Sequence, residues 1–419
     1  MTRNRVVVTG LGCVSPLGND VETTWSAVRA GRSGAGPITT IDAQGLKTQF
    51  AAEVKDFDPE ELLGRRLARR TDRFTQFALV ATEEAINHAG LKVDEHMGAR
   101  VGVVMGTGIG GIGTLVREND TYHQRGARRV SPFMVPMMLP DSAAGQLAIR
   151  FGLRGPNMAV VTACASGSNS IGEATETIRR DSADVMIAGG TEAAIIPIAM
   201  AGFNIMDAIS TRNDDPLTAS RPFDLDRDGF VVAEGAASLV LESYQHARNR
   251  GATIMAEISG YSANNDAFHI SAPAENGAGA ATCMKLALED AGLHKEQIDY
   301  INAHGTSTPL NDASETSAIK SVFGDYAYEV PVSSTKSMTG HLMGAGGALE
   351  ALLCVKAIQD SFIPATINYT TPDPECDLDY VPNRPRQKVL IHVLKNSFGF
   401  GGHNACLIVS KLTENETVA

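Results

Sequence analysis

An α/β fold of two related halves is what this 419-residue chain predicts, and three observations carry it. Strand-like and helix-like segments alternate along the whole length. One unit, a strand followed by a small-residue loop and a helix, occurs in both halves. At 43% hydrophobic and 20% charged residues, the chain has a sizeable core to bury and reads as globular.

The elements justify this in order. Residues 6–9 (Val6-Val7-Val8-Thr9) read as a strand ending at Gly10-Leu11-Gly12. Residues 71–89 have helical spacing, with Phe74, Phe77, Ala78 and Ala81 on one face. Residues 101–105 are a buried-type strand before the glycine-rich run from Gly106 to Gly113. An apolar run at 158–161 leads through Cys164 into a helix over 169–179, and 185–188 forms another strand. Residues 230–242 read as a strand pair or one bent strand.

Past about residue 250 the pattern repeats. A strand over 254–260, a helix over 277–291 and a short strand over 300–303 are followed by a strand over 330–334. A glycine-bearing loop and a helix over 345–358 then mirror the Cys164 unit. Residues 389–394 and 405–409 read as a closing hairpin around Gly399 to Gly402. The predicted division is an N-terminal half, 1–250, and a C-terminal half, 251–419.

The net charge of −12 argues against a protein built mainly for nucleic acid, so an acidic partner needs a local basic patch. Cys13, Cys164, Cys283, Cys354, Cys376 and Cys406 are scattered without CxxC spacing, which fits a reducing compartment and gives no zinc or redox motif. No signal-like segment precedes the strand at Val6, and no run of 18 apolar residues occurs. The expectation is a cytoplasmic protein with no metal and no membrane segment.

Cys164 sits where a strand turns sharply into a helix. A helix N-terminus favours thiolate over thiol, and thiolate is the nucleophile. The alternative reading is a buried structural cysteine. Three later loops hold the polar groups an activated cysteine needs: 302–308 with His304, 333–341 with Lys336 and His341, and 396–404 with Phe398 and Phe400. Singly, each has a structural alternative: a satisfied histidine, a solvated lysine, core aromatics. The Gly106 to Gly113 run lacks the acidic residue that a dinucleotide fingerprint requires about 20 positions on.

Taken together and in this order, Thr-Ala-Cys-Ala-Ser-Gly, Asn-Ala-His-Gly-Thr-Ser-Thr, Thr-Lys-Ser-Met-Thr-Gly-His and Asn-Ser-Phe-Gly-Phe-Gly-Gly resemble the β-ketoacyl-acyl-carrier-protein synthases, and most nearly their synthase II branch. Supporting stretches are Ser131-Pro132-Phe133, Ser210-Thr211-Arg212-Asn213-Asp214 and Arg221-Pro222-Phe223-Asp224. The resemblance implies a thiolase-like fold of two βαβαβαββ halves, a five-layered α-β-α-β-α sandwich, and an obligate homodimer.

It also implies roles. Cys164 would take the acyl chain from its carrier, with the N–H groups of Cys164 and Phe400 as the oxyanion hole. His304 and His341 would act on malonyl-carrier decarboxylation, with Lys336 orienting them and Glu350 supporting Lys336. Phe398 and Phe400 would form a gate, and Ile109 and Phe133 would bound the acyl pocket. Arg65, Arg66, Arg69 and Arg70, and separately Arg128 and Arg129, would dock the acidic carrier. Two positions depart from the usual pattern: Asp207, where a basic residue is common, and His403, where threonine is common.

No cofactor is required by this chemistry, and a structural monovalent cation is an open question. Other readings are a synthase I-like or polyketide-type ketosynthase and a non-catalytic chain-length subunit; Cys164 with two histidines argues against the last. A general cysteine hydrolase needs no second histidine on a lysine-bearing loop.

Overall fold

The computed structural model describes residues 3–95 and 97–413. The first half runs β1 (Val6–Val14), α1 (Arg73–His88), β2 (Val101–Gly106), α2 (Ser142–Phe151), β3 (Asn157–Val160), α3 (Ser166–Arg179), β4 (Val185–Glu192) and β5 (Gly235–Ser243). The second runs β6 (Ala256–Asn265), α4 (Ala278–Ala291), β7 (Tyr300–Asn302), α5 (Pro309–Phe323), β8 (Val332–Ser333), α6 (Gly346–Asp360), β9 (His392–Gly399) and β10 (His403–Ser410).

These strands form one ten-stranded sheet in the order β8-β7-β9-β10-β6-β1-β5-β4-β2-β3. Counted within its own half, each set reads 3-2-4-5-1 from the outer edge to the centre. The parallel and antiparallel pairings repeat as well. The half-sheets meet through β1 and β6, paired only at Val7–Glu257 and Val8–Ala256. Helices α1 and α2 cover the first half-sheet, α4 and α5 cover the second, and α3 packs on α6 between them. That makes five layers, as the resemblance implied.

Local sequence explains the elements. Helix α1 is capped by Asp72, whose carboxylate accepts the Phe74 N–H at 3.3 Å. It buries Phe74, Phe77, Ala78 and Ala81, and each phenylalanine contributes about 2–3 kcal/mol relative to exposure. Strand β1 continues through Gly10 and Gly12 to Val14 instead of ending there. A Cβ at either glycine would run into the main chain of α1 at Ala85 or Ala81, so the glycines permit close packing of strand and helix. The predicted strand over 230–242 is shorter, because residues 230–234 leave the sheet to bridge Val232 to His341 and Ala233 to Ala52.

The two central helices touch at equivalent points. Gly167 is the second residue of α3, and a Cβ there would lie 2.5 Å from the Ala348 nitrogen. Gly347 is the second residue of α6, and a Cβ there would lie 2.6 Å from the Ser168 nitrogen. Two glycines thus let the N-terminal ends of α3 and α6 cross at main-chain contact.

Candidate active site

Loops from both halves meet above that crossing around a cavity of about 360 Å³. Cys164, His304, His341, Phe398 and Phe400 all line it, so the structure brings five of the sequence-predicted residues together. Phe230, Thr306 and Thr308 complete the nearby wall.

Cys164 occupies a single 3₁₀ turn, Ala163–Ala165, between β3 and α3. Ala163 stands at φ 49°, a left-handed backbone that a non-glycine residue adopts only under constraint. The constraint is visible: Ser166 Oγ accepts the Thr162 N–H at 2.9 Å and donates to the Ala163 carbonyl at 2.7 Å. The Phe400 N–H is directed at the Cys164 sulfur. A Cβ on Gly399 would lie 2.7 Å from the Thr162 oxygen and 3.1 Å from the Cys164 nitrogen. Glycine there allows the Phe398–Phe400 backbone to lie against the thiol loop.

The expectation of a resting thiolate is corrected. Burial pushes the Cys164 thiol up to about 12, and the opposing pull of Lys336 and the Phe400 N–H is too weak to reverse it.

His304 and His341 are buried, with ring centroids 5.4 Å apart and planes at 84°. His341 Nδ1 accepts the Met343 N–H at 3.3 Å, which assigns its ring proton to Nε2. Burial, then the charge of Lys336, holds both imidazoles well below the ordinary histidine range. They are neutral N–H donors near pH 7, not acids. His304 is placed through its backbone: Glu315 accepts the His304 and Gly305 N–H groups at 2.8 and 2.7 Å, and Lys336 Nζ donates to the His304 carbonyl at 2.6 Å.

Beneath the histidines lies a buried charge cluster. Lys336 bonds Glu350 Oε1, and Lys395 Nζ sits 2.9 Å from Glu350 Oε2. Lys395 was not among the predicted residues because the hairpin strand was read as ending at 394, one position short. Glu315 and Glu192 were missed too, because their work is to accept main-chain N–H groups, which leaves no motif. Glu192 accepts Gly108 and Gly344 N–H at 2.7 and 3.0 Å and ties the loop after His341 to the first half.

Other predicted residues lie elsewhere. Ile109 does not line the cavity; it follows a turn fixed by Glu192 and packs on the cluster containing Met343, Met200 and Phe230. Phe133 also lies off the cavity wall, and its ring carries the Arg70 guanidinium 4.5 Å from the centroid. Arg65, Arg66, Arg69, Arg70, Arg128 and Arg129 are all exposed, and Arg65 and Arg69 flank Glu60 at 3.9 and 3.3 Å. Asp207 is at the cavity mouth, at φ 49°, and pairs with Lys47 at 3.1 Å. His403 is half-buried against Gly401. Among the described residues no group of three or more His, Cys, Asp and Glu has metal-binding geometry, and no helix is long and apolar enough to cross a membrane.

The chain that carries this thiol, N–H pair and two histidines is similar over nearly its whole length to known proteins. The chain is 51% identical over 411 residues, 98% of its length and 99% of the relative's, to a 3-oxoacyl-[acyl-carrier-protein] synthase 2 of Synechocystis sp.. A β-ketoacyl synthase from Burkholderia phymatum superposes with a TM-score of 0.90 at 38% identity, covering 98% of this chain and 100% of that one. A type II polyketide ketosynthase, solved with its acyl-carrier protein and bound to the hexaketide, does so with a TM-score of 0.90 at 35% identity, at the same coverage. The family models for the β-ketoacyl synthase N-terminal and C-terminal domains match residues 3–247 and 255–370. With thiol and histidines drawn from two halves that each carry a family domain, this chain belongs to the β-ketoacyl synthases.

Proposed function

We propose that the protein is a β-ketoacyl-acyl-carrier-protein synthase II, joining an enzyme-bound acyl chain to malonyl-acyl-carrier protein with loss of carbon dioxide. The observation that carries this is the shared cavity of Cys164, His304 and His341.

In the first half-reaction the Cys164 sulfur attacks the acyl thioester. Its proton passes to the departing carrier thiolate, so the acyl group moves with no net change in charge over the step. The tetrahedral oxyanion lies between the N–H groups of Cys164 and Phe400, which the Gly399 contact sets side by side. In the second, neutral His304 and His341 donate ring N–H groups to the malonyl thioester carbonyl. Carbon dioxide leaves, the enolate carbon attacks the Cys164 thioester, and the sulfur departs as thiolate and takes up one proton from solvent. Splitting the reaction this way predicts ping-pong kinetics. Lys336 acts on the placement of His304, and Glu350 on that of Lys336.

The carrier is proposed to dock on the exposed arginines, Arg65, Arg66, Arg69 and Arg70, and separately Arg128 and Arg129. Support for a homodimer comes from β3, one of the two terminal strands of the sheet, where Met158 is exposed, as is Val161 just after it. An unpaired apolar edge of this kind calls for a partner strand. A cytoplasmic location is supported by the six cysteines, none of which is in a disulfide.

The test is incubation with acyl- and malonyl-carrier protein across a series of chain lengths, with mass spectrometry of Cys164. Acylation of Cys164 and release of a β-ketoacyl product are expected; product from Cys164→Ala would overturn the assignment. The same series separates a fatty-acid from a polyketide preference.

A further inference from the structure

Lys395 is a fully buried lysine in a protein core, on the same face of β9 as Ser397. Its Nζ donates to Ser168 Oγ at 3.1 Å, is bonded to Ser397 Oγ, and pairs with Glu350. Ser168 lies four residues beyond Cys164, Ser397 lies three before Phe400, and their hydroxyls are 2.9 Å apart. One ammonium therefore ties the nucleophile helix to the strand that delivers the second oxyanion donor.

Burying an ammonium is costly unless a partner compensates it. Glu350 already has Lys336 on its other oxygen, so two lysines share one carboxylate; burial, opposed by Glu350 and aided by the Lys336 charge, holds Lys395 below the ordinary lysine range. A core built for stability alone would place an apolar residue at 395. The excess positive charge sits behind a site where both half-reactions build negative charge, on a tetrahedral oxygen and then on an enolate.

We propose that Lys395 is a positioning residue of the condensation, locking the Phe398–Phe400 turn to the Cys164 helix and keeping net positive charge behind His304 and His341. This rests on the ketoacyl synthase reading. The groups facing this centre are Glu350 and Cys354 of α6, Lys336 of the preceding loop, Tyr300 of β7, Cys406 of β10, Cys283 of α4 and Glu315 of α5, with Cys164 and the two histidines above. Lys395 lowers the proton affinity of both histidines.

The test uses Lys395→Met, which keeps the length and removes the charge. Three quantities are measured on the full-length enzyme: the rate of Cys164 acylation, the pH profile of condensation, and the ring titrations of His304 and His341 by NMR of labelled histidine without substrate. The acid limb of condensation and both histidine titrations are expected to move up by about one pH unit, so that activity on the acid limb falls by up to about tenfold per titrating histidine while activity near pH 8 is unchanged. A variant that is slower at every pH, with limb and titrations in place, has lost packing only and overturns the proposal.

Ser168→Ala keeps the ammonium and cuts the tie, since Ser168 is the helix partner of both Lys395 and Ser397. It is expected to slow acylation several-fold with the histidine titrations unmoved. This decides the case if Lys395→Met does not fold: Ser168→Ala acylating at the wild-type rate overturns the proposal. The titrations need no turnover, so a wild-type enzyme that fails to condense would sink the functional reading while leaving the electrostatic role of Lys395 decidable.

Discussion

Lys336 Nζ lies 2.6 Å from the main-chain oxygen of His304, and the bond goes to the backbone rather than to the ring. The lysine therefore sets where the imidazole stands without taking a ring nitrogen. Its other bond, to Glu350, anchors it in α6. Histidine placement in the second half-reaction is thus inherited from a buried ion pair.

Lys336→Ala is accordingly expected to retain acylation of Cys164 and to lose condensation by about 100-fold or more, as loss of transition-state placement does. Its cost in stability should stay below the roughly 3 kcal/mol of an unpaired buried charge, because Glu350 keeps Lys395. Single-turnover acylation, steady-state condensation and denaturant unfolding read these three effects; equal loss in both half-reactions would contradict the assignment.

Cys164 should react slowly with simple alkylating agents. With its pKa near 12, alkylation at pH 7 is expected to be about 100-fold or more slower than that of a free cysteine peptide. The rate should climb through pH 9. Lys336→Ala should slow it further, since Lys336 is the charge that pulls this thiol down.

Gly399→Ala would push a Cβ against Thr162 and the Cys164 nitrogen. The Phe398–Phe400 turn then has to move off the thiol loop, carrying the Phe400 N–H with it. Acylation is expected to fall by about 100-fold, the usual worth of one oxyanion donor. Because the clash is with main-chain atoms, a loss of about 1–3 kcal/mol in unfolding stability should accompany it.

Glu192 gives a stability signature. Burial raises its carboxyl from an unfolded 4.5 to about 7, against the hydrogen bonds of Gly108 and Gly344. The folded state holds the proton more tightly, so this contribution is full below pH 4.5 and is lost as pH rises through 7. The two histidines run the other way, being lowered on folding, and destabilise the fold as pH drops below 6.5. Subtracting the unfolding curve of Glu192→Gln from that of the wild type cancels them. The remainder should fall by roughly 3 kcal/mol between pH 4.5 and 7.

How far the chain could be read depended on what each residue did. Alternating apolar runs exposed every major strand, and the spacing of Phe74, Phe77 and Ala81 exposed α1. Gly10 and Gly12 misled, because glycine marks a turn and a close helix contact in the same letter. The cavity residues were legible because thiol, imidazole and phenylalanine recur in fixed local strings. Glu315, Glu192 and Lys395 were not, since each acts on groups far away in sequence. The thiol's acidity was misjudged for a related reason: a helix N-terminus is visible in sequence, and the burial that outweighs it is not.

The crossing of Gly167 with Gly347 has one more consequence. It superimposes two copies of the same structural slot, the loop that leads from the third strand of a half into its central helix. One copy carries Cys164 and the other Lys336 and His341. Neither copy holds a complete set of reacting groups, so each half is chemically mute without the other. Division of labour between duplicated parts is what lets one cavity hold a growing chain and arm its next carbon unit in turn.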